Sequence, residues 1–545
     1  MWRFRGSGGS AKGAQVRRGI AGTSAQARLI AAAIAAVAIF AAAAWLRIAG
    51  GIVHPLWLDE AYSAYAAAHD WTFLWTVVPR YETHPPFYYS LLRVWTLVFG
   101  DSLVGLRSLG LTASLLTLPV VAFGARELGR IVRPPPEGDV ALPLAALLLV
   151  GFAPFLLEMG QQVRPYAVLI LVYAVACLAL LRIGRETAEG AAIRARPLAL
   201  YLVALALMLW LHNLGVLYAV ALTLALAVMV LRRGLTTRDW LMLVGGHLLV
   251  GLLYLPAFLI LVDQAPTWVR STWLRFTTDG LEWRLAGMYL IAKGRAVIAA
   301  AVLVLLALAQ LARSDAGRRA AVALLSLAIV PAALSILLSM RVAPVFIPRT
   351  MAATAIPLLL LLATGITGRR WPRIAGWAAL TFVVWQMAWF DWRTTPGRPQ
   401  EDWYRAARWL GARFRPGDVV YAYPNESALP FDYAARDLKL PIPAQPIPMA
   451  VPAIGIAGGW YPTGSRGVVS LPRPALRSIA RLPQTRAAPT VWLLRSGAWT
   501  YDNGDVFLDE LARGRTAIGR YRDGPIDIIG LSRGRGDRAS AGATR

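Results

Sequence analysis

Long apolar runs separated by short basic stretches dominate the first 390 residues. They fall at about 29–50, 86–99, 104–124, 141–157, 166–181, 198–212, 214–231, 240–262, 296–312, 320–340, 350–367 and 374–390. Most approach the ~20 residues that carry a helix across ~30 Å of hydrocarbon. The run at 86–99 does not: as helix it would reach only about 21 Å, so it is read as interfacial or re-entrant. The pattern predicts about 11 to 12 spans. After Phe390 it changes to charged helices such as Glu401 to Phe414 and short apolar strands such as Val419-Val420-Tyr421 and Val491-Trp492-Leu493-Leu494. The expected fold is therefore mostly α, a polytopic membrane helical bundle with a C-terminal soluble α/β domain. The expected division is a basic disordered arm at 1–28, a membrane domain at 29–390, and a soluble domain at 391–545 ending in a disordered tail from Ser532.

Composition supports this reading and narrows function. The chain is 57% hydrophobic and 16% charged, with a mean hydropathy of +0.52. Its net charge of +26 would point to nucleic acid in a soluble protein. Here the charge follows the loops instead. With the N-terminus in the cytoplasm, the cytoplasmic pieces hold 22 Lys/Arg and the longer outer loops of the membrane domain hold 12, as the positive-inside rule requires. That parity makes 125–140 cytoplasmic and puts the C-terminal domain outside, so the multi-pass chain is expected in the cytoplasmic (inner) membrane with its site facing the periplasm or exterior. Nucleic acid is excluded as a partner. The N-terminal arm reads as an anchor, because the apolar run after it is too long for a cleaved signal. The single Cys177 rules out an intrachain disulfide or a cysteine metal site. Neither a Walker loop nor a dinucleotide fingerprint is present.

The same parity gathers on the outer face the polar residues that a membrane tolerates worst. The first loop carries Trp57-Leu58-Asp59-Glu60-Ala61-Tyr62, then Glu82-Thr83-His84-Pro85-Pro86-Phe87-Tyr88-Tyr89. The next outer turn carries Glu158, Gln161, Gln162, Arg164 and Tyr166; His212 ends one span and Arg349 begins another. Each has a bland reading. The Asp-Glu pair would cap an interfacial helix, either arginine would snorkel, His212 would bond backbone at a helix end, and the tyrosines would belong to an interfacial belt. Independent snorkellers, however, have no cause to accompany a carboxylate pair.

These motifs, with His84-Pro85-Pro86, Gln162-Val163-Arg164-Pro165-Tyr166, His212 and Pro348-Arg349, resemble those of GT-C-fold glycosyltransferases that use polyprenyl-phosphate sugars. The resemblance is to glycosyltransferase family 39, the relatives of protein O-mannosyltransferases and of the lipid A aminoarabinose transferase. It covers about 29–390, and the tail from Glu401 is similar to the extracytoplasmic tail of many such proteins. Two motifs depart from it: Gln162 stands where an acid is common, and Thr350 follows Arg349 where tyrosine is common.

The resemblance implies a sugar joined through C1 to a polyprenyl phosphate as donor, a lipid, glycan or protein as acceptor, and inversion at C1. Asp59 is then the base. Glu60 is catalytic, or tunes Asp59 through a partner. Arg164, Arg349 and His84 stabilise the phosphate, and Tyr62, Tyr88, Tyr89 and Tyr166 bind sugar or phosphate. Polyprenyl phosphate is already a reasonable leaving group, so no general acid is required. Glu82, His84 and His212 also admit a divalent metal ion. The soluble domain, which lies beyond every candidate base and phosphate ligand, is expected to recognise acceptor. The rival readings are a flippase for polyprenyl-linked glycans, which predicts polar residues near the bilayer midplane, and a non-catalytic scaffold.

Overall fold

The computed structural model describes residues 9–533 except 83, 133–139, 232–233, 272–273, 292–293, 396, 398, 454–469 and 503, with the side chains of 9–25, 264, 267–271 and 500–501 also outside the description. Among the described residues up to 394 there are fifteen α-helices. They are α1 (Gly9–Gly51), α2 (Leu58–Ala68), α3 (Phe87–Phe99), α4 (Leu103–Val132), α5 (Ala141–Gly151), α6 (Pro154–Gly160), α7 (Tyr166–Ala188) and α8 (Ala195–Leu211). There follow α9 (Gly215–Val230), α10 (Thr237–Ser271), α11 (Leu281–Tyr289), α12 (Gly294–Leu311), α13 (Asp315–Arg341), α14 (Ala355–Thr364) and α15 (Trp371–Thr394).

Every apolar run of the sequence is helical, as a chain that must satisfy its own backbone in lipid requires. Among the described residues seven stretches are long and apolar enough to cross a membrane: Gln26–Gly51, Leu103–Val132, Tyr166–Ala188, Thr237–Asp263, Gly294–Leu311, Asp315–Arg341 and Pro348–Thr367. The chain is a multi-pass membrane protein. Helices α8 and α9 are apolar but shorter, and α3 has 13 residues. The helix α1 starts at Gly9, inside the arm read from sequence as disordered. On the predicted cytoplasmic loop 125–140, α4 runs on to Val132, and 133–139 lie outside the described residues.

The run at 141–157 is broken rather than straight: α5 and α6 meet at 65°. Pro154 opens α6, where its missing N–H costs nothing. The carbonyls freed at the break are taken by Arg47, buried in α1, which donates to Gly151 O at 2.8 Å and Val150 O at 3.3 Å. Its Nε donates to Ser114 Oγ at 2.8 Å, tying α1, α4 and α5 at one level. The core forms where α4 and α7 pack side by side, with Leu118, Val121, Leu128, Tyr173 and Leu180 buried.

Beyond α15, a five-stranded sheet forms from β1 (Val419–Ala422), β2 (Ala444–Pro446), β3 (Thr490–Ser496), β4 (Arg515–Asp523) and β5 (Ile526–Arg533), in the order β2-β1-β3-β5-β4. The β2-β1-β3 half is parallel and the β3-β5-β4 half antiparallel. Helices α16 (Trp403–Gly411) and α17 (Ala428–Asp437) cover one face through Trp403, Phe431 and Trp492. Helices Arg473–Ala480 and Val506–Ala512 cover the other through Leu476, Phe507 and Tyr421. Ser532 and Arg533, read from sequence as tail, belong to β5, because their backbone pairs with β3 and β4; 534–545 lie outside the described residues. The domain rests on α2 through α17. Tyr65 Oη donates to Val451 O at 2.6 Å, and Arg436 pairs with Asp101 at 2.7 Å.

Candidate functional site

Helix α2 is Ala-rich and begins with two carboxylates, which the positive end of the helix dipole favours. Asp59 and Glu60 nonetheless point to different surroundings. The Asp59 carboxylate, 14% exposed, has Oδ2 3.3 Å from Arg349 Nη2 and 3.9 Å from Arg164 Nη2. The two arginines arrive from separate elements. Arg164 precedes Pro165 and the start of α7, and Arg349 stands in the 3-10 turn Pro348–Thr354 that leads into α14. Arg164 also donates to Asp59 O at 3.2 Å and Ser63 Oγ at 3.3 Å, so it spans the first turn of α2. The Arg349 guanidinium lies over the Trp57 ring, 5.2 Å from its centroid.

Glu60 faces inward, 1% exposed, and both its oxygens are used. Oε1 accepts from Val163 N at 2.9 Å, and Oε2 accepts from Arg107 Nη2 at 2.8 Å and Trp57 N at 3.4 Å. It ties the helix that carries Asp59 to the turn that carries Arg164. Both of its oxygens thus hold partners. Arg107 completes the tie by donating to Gly51 O and Pro55 O. Gly110 lets α4 approach the turn before Arg164: a Cβ there would stand 2.9 Å from the carbonyl oxygens of both Gly160 and Gln162.

The second motif joins the same region. His84 Nδ1 lies 2.8 Å from Glu82 Oε1, and its Nε2 lies 3.2 Å from His212 Nε2. His212 Nδ1 accepts the Leu214 amide at 3.0 Å, so a neutral His212 carries its proton on Nε2 and donates to His84, which in turn donates from Nδ1 to Glu82. Both His84 nitrogens are engaged, so in this arrangement His84 offers no N–H to a phosphate. Nor do Glu82, His84 and His212 converge: Glu82 meets Nδ1 and His212 meets Nε2. Among the described residues no group of three or more His, Cys, Asp or Glu is arranged to hold a metal.

The tyrosines are buried, which differs from a sugar-facing role. Tyr62 donates to Tyr81 Oη at 2.6 Å and packs edge-on against Tyr89, ring centroids 5.8 Å apart. Burial pushes the Tyr62 and Tyr88 phenols up from their ordinary value of 10, with neighbouring Tyr81 and Glu82 adding to it at Tyr62, so both stay neutral. The Arg164 guanidinium lies over the Tyr166 ring, 5.9 Å from the ring centroid, and the Tyr166 and His212 ring centroids are 6.3 Å apart. Tyr166 links the arginine to the histidine pair.

Beside this cluster opens a cavity of about 510 Å³, whose walls include Trp57, Glu60, Arg107, Glu158, Gln162 and Asp391. Three atoms of its lining residues, Gln162 Oε1, Asp391 Oδ2 and Arg107 Nε, are buried with no hydrogen-bond partner among the described residues. Buried polar atoms are rarely left so. Sequence reasoning missed Arg107, Ser63, Asp391 and the stacking role of Trp57. Only Ser63 carried a signal, standing four residues after Asp59 on one helix face.

No family model matches the chain, and no curated protein matches it. Among solved structures it is similar to ArnT from Cupriavidus metallidurans in the apo state, at 14% identity and a TM-score of 0.52, over 93% of this chain and 98% of that one. It is also similar to ArnT bound to undecaprenyl phosphate, at 15% identity and a TM-score of 0.53, over 91% of this chain and 97% of that one. The likeness runs through the membrane helices and the C-terminal domain alike, and the chain has the GT-C fold that its motifs resemble.

Proposed function

We propose that this protein is a membrane glycosyltransferase that moves a sugar from a polyprenyl-phosphate donor to an acceptor hydroxyl, with inversion at C1. The observation that carries the reading is the meeting of one partly exposed carboxylate with two arginines from distant elements. Without donor, Asp59 pairs with both Arg164 and Arg349 and offsets only part of their charge. An arriving phosphate competes for those guanidiniums, to which it binds with charge-assisted, bidentate geometry, and so releases the carboxylate. The acceptor oxygen attacks C1 as Asp59 takes its proton, and the C1–O bond breaks with its electron pair passing to the phosphate. The two arginines stabilise the charge that develops there.

The reacting sugars occupy the adjoining cavity, whose polar lining residues include Gln162, Asp391 and Arg107. Two further facts support the reading: the GT-C fold, and the undecaprenyl phosphate held by a protein of that fold. The excess of basic residues in the alternate loops supports a site on the extracytoplasmic face of the cytoplasmic membrane. The C-terminal domain, seated on α2, forms the acceptor side of this arrangement.

The test is turnover of purified protein in lipid nanodiscs with a panel of radiolabelled polyprenyl-phosphate sugars and envelope lipid, glycan and protein acceptors. Label should leave the polyprenyl fraction only when acceptor is present. A protein that binds these lipids yet transports them across a vesicle membrane, without cleaving the C1–O bond, would refute the proposal.

A further inference from the structure

Helix α2 carries Asp59 in its first turn, but its N-cap side chain supplies no acceptor. The flanking residue is Trp57, whose indole donates and cannot accept, and the local side-chain bond at the helix start is the long one from Trp57 N to Glu60 Oε2, 3.4 Å, which leaves the Leu58 amide unserved. Its first amide is served from the other end of the chain. Glu401 Oε2 lies 3.2 Å from Leu58 N, across 343 residues of sequence. The same oxygen accepts Trp403 Nε1 at 2.6 Å, which fixes it to the first residue of α16, and the Glu401 side chain is buried. Two turns along α2, Tyr65 donates to the carbonyl of Val451. The C-terminal domain therefore holds α2 at its start and along its length.

We infer that Glu401 is a positioning residue for Asp59: by capping α2 from the C-terminal domain, it fixes the first turn that carries the carboxylate. The inference rests on Asp59 being the base, but the cap itself is independent of that reading. A carboxylate at a helix N-terminus meets both an orphan N–H and the positive end of the dipole. Loss of the cap frays the first turn, and a displacement of ~1 Å at the reacting groups can cost up to ~10²-fold in rate. Domain docking and alignment of the base are then one event.

The experiment uses the full-length protein with three substitutions, Glu401→Ala, Glu401→Gln and Arg436→Ala. Hydrogen exchange is followed on a peptide spanning 57–66, and kcat and KM on the donor identified by the turnover assay. Glu401→Ala should speed exchange at the first-turn amides about 10-fold and lower kcat about 10-fold, with donor KM within about 2-fold. Glu401→Gln keeps an acceptor oxygen and should restore most of both. Arg436→Ala removes a separate docking contact, the pair with Asp101, and should leave both near wild type. Exchange in β3 peptides reports whether each variant is folded. Unchanged exchange in a folded Glu401→Ala protein would overturn the cap, as would Glu401→Gln behaving like Ala or Arg436→Ala reproducing its effect. Faster exchange with unchanged kcat would overturn the positioning role. Should no donor be turned over by the wild type, the proposed function fails, while the exchange data still decide the cap.

Discussion

Replacing Asp59 with asparagine separates two effects that the geometry places on one carboxylate. Asparagine has the same volume and keeps an oxygen that Arg349, 3.3 Å away, can still reach. It cannot take a proton at neutral pH, so transfer should fall by the ~10²- to 10⁴-fold typical of a lost general base. Donor binding should move the other way. A donor phosphate held by the same two guanidiniums would lie about 5 Å from the carboxylate, and two like charges at that distance repel by about 3 kcal/mol at an effective dielectric of ~20. Solvent reaching the partly exposed site reduces this to about 1 kcal/mol, or roughly 5-fold tighter binding in the variant. Calorimetric titration with polyprenyl phosphate gives the affinity, and single-turnover quenching with labelled donor gives the chemical step. Turnover within 3-fold of wild type would refute Asp59 as the base. Weaker donor binding would refute the competition between carboxylate and phosphate for the arginines.

Arg164→Ala and Arg349→Ala should each weaken donor binding about 10- to 100-fold, the size of a charge-assisted bond of 1.5–3 kcal/mol, in the same titration. Glu60→Gln leaves Arg107 buried and unpaired, so it should lower stability by about 3 kcal/mol or more, seen as an earlier thermal unfolding transition; an unchanged transition would contradict its tying role. Burial, above all, raises Glu401 from 4.5 to about 7, and nearby Asp59 and Glu60 add to it against the bonds from Trp403 and Leu58. The folded state thus holds this proton more tightly, and stability should fall as pH rises from about 4.5 through about 7. The loss is at most about 3 kcal/mol. Glu401→Gln should flatten that part of the curve, and an unflattened curve would place the titration elsewhere.

The helices were legible because hydropathy over 20 residues is a local property, and all the apolar runs named from sequence are helical. The gathering of Asp59, Arg164, Arg349, Glu82, His84 and His212 was legible for a topological reason, since parity put their loops on one side. What each side chain touches was less so. Asp59 and Glu60 are adjacent in sequence, yet about 100° apart around a helix, and no pattern says that one meets arginines at the surface while the other is buried on Arg107. The break at Gly151 had a visible Pro154, but the arginine that makes it tolerable lies in α1. Glu401 joins Leu58 across 343 residues, a contact with no periodicity to betray it, set by how the C-terminal domain docks.

The most direct measurement is the position of the lipid phosphate in the purified protein, imaged with bound polyprenyl phosphate at a resolution that shows side chains. The account predicts density for the phosphate within about 3.5 Å of both the Arg164 and Arg349 guanidiniums, with the Asp59 carboxylate turned from them toward the cavity. A phosphate bound elsewhere, with Asp59 still paired to both arginines, would contradict it.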